Sequence, residues 1–109
     1  MRHDYQDRVS LEMATRIAGE LPRRPEWLVM ARENLDRWTV LNKDAPSLLR
    51  CYSEWRAILN RSVQEICAIL TARTDEGQRL RQNSPFVGAL SPQEVWEIKR
   101  RNRHDQNAA

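Results

Sequence analysis

Residues 46–71 read PSLLRCYSEWRAILNRSVQEICAILT. Leu48, Tyr52, Trp55 and Leu59 recur at steps of four, three and four, which places them on one face of a helix. Asn60-Arg61-Ser62 interrupts that face. Ser62 stands three residues before Glu65, the spacing at which the two side chains satisfy each other's free backbone N–H groups at a new helix start. Val63, Ile66, Ile69 and Leu70 then supply a second apolar face. Two short helices in succession would each expose an apolar stripe to water, so they must turn and pack. The stretch predicts a central helical hairpin in an all-α chain.

Toward the N-terminus the same periodicity recurs. Ser10 suits an N-cap, and Leu11, Ala14, Ile17, Ala18 and Leu21 form a stripe ended by Pro22. Pro25 fits the first position of a second helix, where its missing N–H would be unpaired anyway. Leu28, Ala31, Leu35, Trp38 and Leu41 give the cleanest amphipathic pattern in the chain, closed by residues 42–46. Trp27 falls off that stripe and is a candidate contact residue.

Toward the C-terminus, Thr74 caps a short polar helix over about 75–82, anchored by Leu80 and weakened by Gly77. Residues 83–90, Asn-Ser-Pro-Phe-Val-Gly-Ala-Leu, cannot form a long helix and hold the chain's one Phe. Ser91-Pro92-Gln93-Glu94 is a capping box with proline at the first helical position. The helix it opens carries Val95, Trp96 and Ile98 into the basic run Lys99-Arg100-Arg101-Asn102-Arg103-His104. The expectation is one domain over 1–109, a bundle of five to six short helices, with 1–9 and 105–109 as flexible ends.

Composition narrows the function classes. At 109 residues with 40% hydrophobic and 30% charged side chains, one modest core is possible. No apolar run reaches the ~18 residues of a membrane span, and the first residues are polar, so the chain is expected in the cytosol. Cys51 and Cys67 lack ligand spacing and read as small hydrophobes, so neither zinc nor a disulfide is expected. The net charge of +3 divides evenly along the chain. Asp4–Arg8, Glu12–Arg16, Glu33–Arg37, Asp75–Arg79 and Glu97–Arg101 all stand at i, i+4 with the acid first, the favourable order for pairing along a helix.

No catalytic motif emerges. His3 and His104 lie near the ends, where a base with fixed geometry is hard to hold. Glu54 with Glu65, and Asp36 with Asp44, read as solvated faces. No enzyme activity and no cofactor are expected. A nucleic-acid-associated regulator is the alternative reading, with Lys99, Arg100, Arg101 and Arg103, joined by Arg79 and Arg81, resting on phosphates in a salt-dependent way. The even charge distribution argues instead for a solvated helix end matched to the dipole, and a protein partner or self-association is the leading reading. Four tryptophans in so short a chain are a high load for its core, and Trp with Arg is the combination enriched at interface hot spots. The segment from Ser84 to Trp96 reads either as a lid packed over the hairpin, the preferred reading for Phe86, or as a preformed docking surface, and on the second reading Trp27, Phe86 and Trp96 are the candidate contact residues. In size and composition the chain resembles small bacterial helical proteins that inhibit, neutralise or adapt a larger protein, as antitoxins and immunity proteins do; the likeness lends no functional residues.

Overall fold

Six α-helices and one 3-10 turn carry the chain in the computed structural model, which describes the backbone of residues 2–108 and the side chains of residues 5–103. They are α1 (Arg2–Glu20), the turn Leu21–Arg23, α2 (Glu26–Leu41), α3 (Pro46–Leu59), α4 (Val63–Leu70), α5 (Asp75–Arg81) and α6 (Pro92–Ala108). Among the described residues there is no strand, so the all-α reading holds.

The local start signals act as written. Ser62 Oγ accepts from Glu65 N–H at 3.1 Å, and the Glu65 carboxylate returns a bond to Ser62 N–H at 3.4 Å. Ser91 and Glu94 repeat the exchange at 3.1 and 3.0 Å. Thr74 Oγ1 accepts from Gly77 N–H at 3.0 Å to open α5. Each satisfies donors that a helix start leaves without partners.

Ser10 does not. Helix α1 starts at Arg2 and passes through Ser10 without a break. The reason is tertiary: this first half lies along α6, where Tyr5 Oη donates to the Lys99 carbonyl at 3.2 Å and Val9 is buried. Packing on a neighbour extends a helix beyond what its own caps specify. The backbone is helical through 2–9 and 105–108, the segments expected as flexible ends; Met1 and Ala109 lie outside the described residues.

Helix α1, rather than a hairpin over 46–71, is the centre of the packing. It meets α4, α5, α6 and the 3-10 turn, while α3 pairs chiefly with α2 and α4 leans on α1. Both halves of 46–71 still enter one core, which holds Tyr52, Trp55, Leu59, Ile66 and Leu70 with Ala14, Ile17 and Leu21 of the N-terminal segment. Cys51 is buried, Cys67 is half-buried, and both are free thiols. Burial pushes both above the ordinary cysteine range, which keeps them as uncharged space-fillers.

Some arginines pair locally, as Arg23 with Glu20 and Arg61 with Glu65, and others tie helices together. Arg101 and Asn102 of α6 both reach Glu12 of α1. Arg16 pairs with Glu94 at 3.6 Å, and Arg56 of α3 pairs with Asp36 of α2 at 2.7 Å. Arg37 donates to Asn34 rather than to Glu33. Asp4 lies outside the described side chains. Arg32 donates to the Leu59 carbonyl at 2.8 Å and so closes the end of α3 from α2. A cation placed there also suits the negative end of the helix dipole.

Arg79 spans two helices in the same manner. It donates to both oxygens of Glu54 at 3.0 and 2.7 Å and to both of Glu76 at 2.9 Å. The Arg79 hydrogen bonds hold the Glu54 and Glu76 carboxyls below the usual carboxylate range. A carboxylate depressed in the folded state contributes stability that is complete above its unfolded value, about 4.3, and is lost as pH falls through the lower folded value. The urea midpoint is therefore expected to fall as pH drops below about 5, and Arg79→Ala should flatten that decline. Glu94, lowered mainly by the Ser91 backbone N–H, titrates in the same sense and should keep some slope in the variant. Parallel declines in the two proteins would show that the Arg79 pairings add nothing to stability.

Candidate functional site

The segment between α5 and α6 decides what the surface offers. Asn34 of α2 is buried, and its Nδ2 donates to the Pro85 carbonyl at 2.8 Å and the Val87 carbonyl at 3.0 Å. Its Oδ1 accepts from Arg37. Gly88 then takes φ of +96°, a conformation in which a Cβ would be strained. The chain is thereby laid across α2 as a strap and delivered into α6. Asn34 attracts no attention in the sequence, because an Asn on a helix is ordinary and its two acceptors lie 51 and 53 residues away.

This arrangement corrects one candidate contact residue. Phe86 is only 2% exposed and meets Trp55 edge-on, with ring centroids 6.3 Å apart. It is the strap's anchor in the core and has no free face. The segment is a lid over the core at this residue and not a docking surface, because Pro85 and Val87 are held by Asn34 with the intervening Phe86 side chain buried.

Trp27 and Trp96 are placed differently. Trp96 is 60% exposed on α6, and Trp27 is half-buried at the start of α2. Each carries an arginine over its ring: Arg24 stands 5.9 Å from the Trp27 centroid and Arg100 5.2 Å from that of Trp96. Such stacking fixes a flat apolar ring beside a fixed positive charge. Two adjoining depressions separate the rings. One, of about 640 Å³, is bounded by Trp96, Val95 and Lys99; the other, of about 380 Å³, by Trp27, Arg16 and Arg24. Ala89, Leu90 and Glu94 line both, so the strap is the shared floor. Residues 69 positions apart are thus brought to the two sides of one surface. Glu94 is paired with Arg16, Glu20 with Arg23 and Glu26 with Arg24, and Lys99 and Arg100 leave the rim positive in balance.

The basic run of the alternative reading is divided by its helix. Arg101 turns to Glu12 of α1, Arg100 lies over Trp96, and Lys99 and Arg103 border a depression on the α1 side. Arg79 is taken up by Glu54 and Glu76, and Arg81 is buried. The six cations form no continuous stripe. Glu54 and Asp36 are each held by an arginine, and among the described residues no three His, Cys, Asp or Glu side chains are grouped to hold a metal ion. The side chains of His3 and His104 lie outside the described residues. No described helix is long and apolar enough to cross a membrane.

Comparison with protein-family models, with curated proteins and with solved structures finds no match. The surface has to be read from its own residues.

Proposed function

We propose that this protein is a non-enzymatic binding module that docks on a larger protein through the Trp27–Trp96 face, in the manner of a bacterial inhibitor, antitoxin or immunity-type protein. The observation that carries the reading is the pair of arginine-stacked tryptophans standing on either side of the strap residues Ala89 and Leu90. Aromatic rings and arginines around a desolvated centre are the usual anchors of protein interfaces. The strap supplies rigidity: a surface already fixed by Asn34 and Phe86 gives up little conformational entropy on binding. The positive rim suits a partner whose apolar contact is edged by carboxylates.

Trp96 is the residue on which binding should depend most. Trp96→Ala is expected to weaken the partner complex by about 2 kcal/mol, roughly thirtyfold in Kd. Being an exposed site, it should change folding stability by no more than about 0.5 kcal/mol. The check is a parallel capture from native-host lysate with parent and Trp96→Ala baits, each divided into nuclease-treated and untreated halves. Proteins retained by the parent after nuclease and lost by the variant support the reading. Partners that vanish with nuclease, or that bind both baits equally, count against it.

A further inference from the structure

Three of the cations near the C-terminus share one face. Trp96, Lys99, Arg100 and Arg103 follow one another at i, i+3, i+4 and i+7, which lines them along one side of α6. All four are exposed, while Ile98 and Asn102 on the inner side are buried. Arg101 falls outside the stripe and is spent on Glu12. Among the described residues Lys99, Arg100 and Arg103 form no ion pair; Arg100 lies over the Trp96 ring instead. The stripe covers two turns of helix, about 10 Å.

One end of it meets apolar surface. The depression of about 640 Å³ between the strap and α6 is bounded by Val95, Trp96 and Lys99, with Ala89 and Leu90 on the strap side. A side chain seated there has Lys99 beside it and Arg103 one turn further along α6. Asp7 of α1 borders the neighbouring depression that Lys99 and Arg103 also line. It offsets one charge and leaves the stripe positive.

A second copy of the chain is a poor occupant. Two such stripes face to face would set three cations against three, and like charges across an interface are costly. The chain also lacks an obvious acidic counterpart. The exposed carboxylates of Glu20, Glu26, Asp36, Glu54, Glu65 and Glu76 are each held by one of its own arginines. Nucleic acid would suit the cations, but a dedicated binder spreads its charge over a whole face. Here the charge occupies two turns beside an apolar wall.

We infer that the outer stripe of α6 receives an acidic segment of the partner protein. One large apolar side chain of that segment sits between the strap and Trp96, and its flanking carboxylates meet Lys99, Arg100 and Arg103. The inference rests on the docking reading above and adds the chemistry of the partner. Trp96 supplies the contact area, and the cations discriminate by charge. Each exposed cation contributes little by itself, so recognition requires several carboxylates together.

The test is a selection from a display library of random linear peptides, with the full-length protein as bait and Trp96→Ala as counter-bait. The retained peptides are expected to carry clustered Asp and Glu beside a large apolar residue. Their synthetic forms should bind more weakly as sodium chloride is raised from about 0.05 to about 0.5 M. The double variant Lys99→Glu/Arg103→Glu should weaken them about tenfold while keeping the parent's melting temperature. A peptide whose acids are changed to Lys should reverse the order and prefer the double variant to the parent. Trp96-dependent peptides without acidic enrichment, or bound equally by parent and double variant, would overturn the inference and leave the docking reading standing. Absence of any Trp96-dependent peptide would count against both. Two further results would overturn the inference. One is tighter binding of a fluorescein-labelled single-stranded DNA, lost in the same variants, which would assign the stripe to nucleic acid. The other is concentration-dependent sedimentation of the parent that Trp96→Ala abolishes, which would assign it to a second copy.

Discussion

Trp55→Ala is expected to lower folding stability by about 3–5 kcal/mol, the largest loss from any single substitution considered in the core. Trp55 is 0% exposed, and its indole N–H donates to the Leu80 carbonyl at 3.0 Å. Its ring meets Phe86 at an interplanar angle of 79°. One side chain on α3 therefore touches both α5 and the strap. Truncation leaves a cavity the size of an indole whose walls come from separate elements, and such walls relax only in part. A domain of this size has roughly 5–15 kcal/mol in total, so the variant should melt about 15 °C or more below the parent, or fail to fold at 37 °C. Trp55→Phe separates the components. It keeps most of the apolar contact and loses the indole hydrogen bond, while the Leu80 carbonyl still accepts from Asn83 N–H. That variant should lose only about 1–2 kcal/mol. Urea unfolding followed by circular dichroism reads both; a loss under 1 kcal/mol for the alanine variant would mean that Trp55 does not hold the core.

The burial of Trp55 was legible because its cause is local. A step of three from Tyr52 and four to Leu59 sets the side of the helix on which the ring stands, and any globular fold must cover that side. The caps at Ser62, Thr74 and Ser91 were legible for the same reason: donor and acceptor lie three residues apart. Leu41 marks the limit. It continues the α2 stripe by spacing yet is 71% exposed, because periodicity gives the side of a helix and not how far along it the neighbouring helix extends.

The features that shape the candidate surface are nonlocal. The placement of Trp27 opposite Trp96 depends on where α6 docks, and α6 is held through Glu12, Asn102 and Arg101, whose contacts across the two helices have no sequence signal. The spacing Glu12–Arg16 and Glu97–Arg101 suggests pairs along each helix. In the fold Glu12 takes Arg101, and Arg16 takes Glu94, because a tertiary neighbour at close range competes directly with an i, i+4 pairing worth only about 0.2–0.5 kcal/mol. Gly77, which reads as a weak point in α5, is the residue that lets α5 approach Ala72. Phe86 was legible in part: the segment after α5 reads as a lid or a docking surface, and only the strap's nonlocal anchors decide for the lid.

Those anchors give the second large prediction: Asn34→Ala should cost about 2–4 kcal/mol, and Asn34→Asp at least as much. Alanine removes two hydrogen bonds at once and strips the Pro85 and Val87 carbonyls of the amide that holds them. Aspartate keeps an acceptor for Arg37 and nearly the same shape, but it directs an oxygen at the two carbonyl oxygens in place of the N–H donors. The order of the two variants thus separates packing from hydrogen bonding. If shape alone mattered, aspartate would be the milder change. The strap also floors the Trp27–Trp96 face, so loosening it should reach the surface: partner affinity should fall even under conditions where the variant remains fully folded. Hydrogen exchange gives the direct check, with the amides of 86–90 expected to lose protection in Asn34→Ala while those of α4 keep theirs. The Ala89 amide, which donates to the Phe86 carbonyl at 3.1 Å, is the most informative of them. Its unchanged protection would mean that Phe86, buried against Trp55, secures the strap without Asn34.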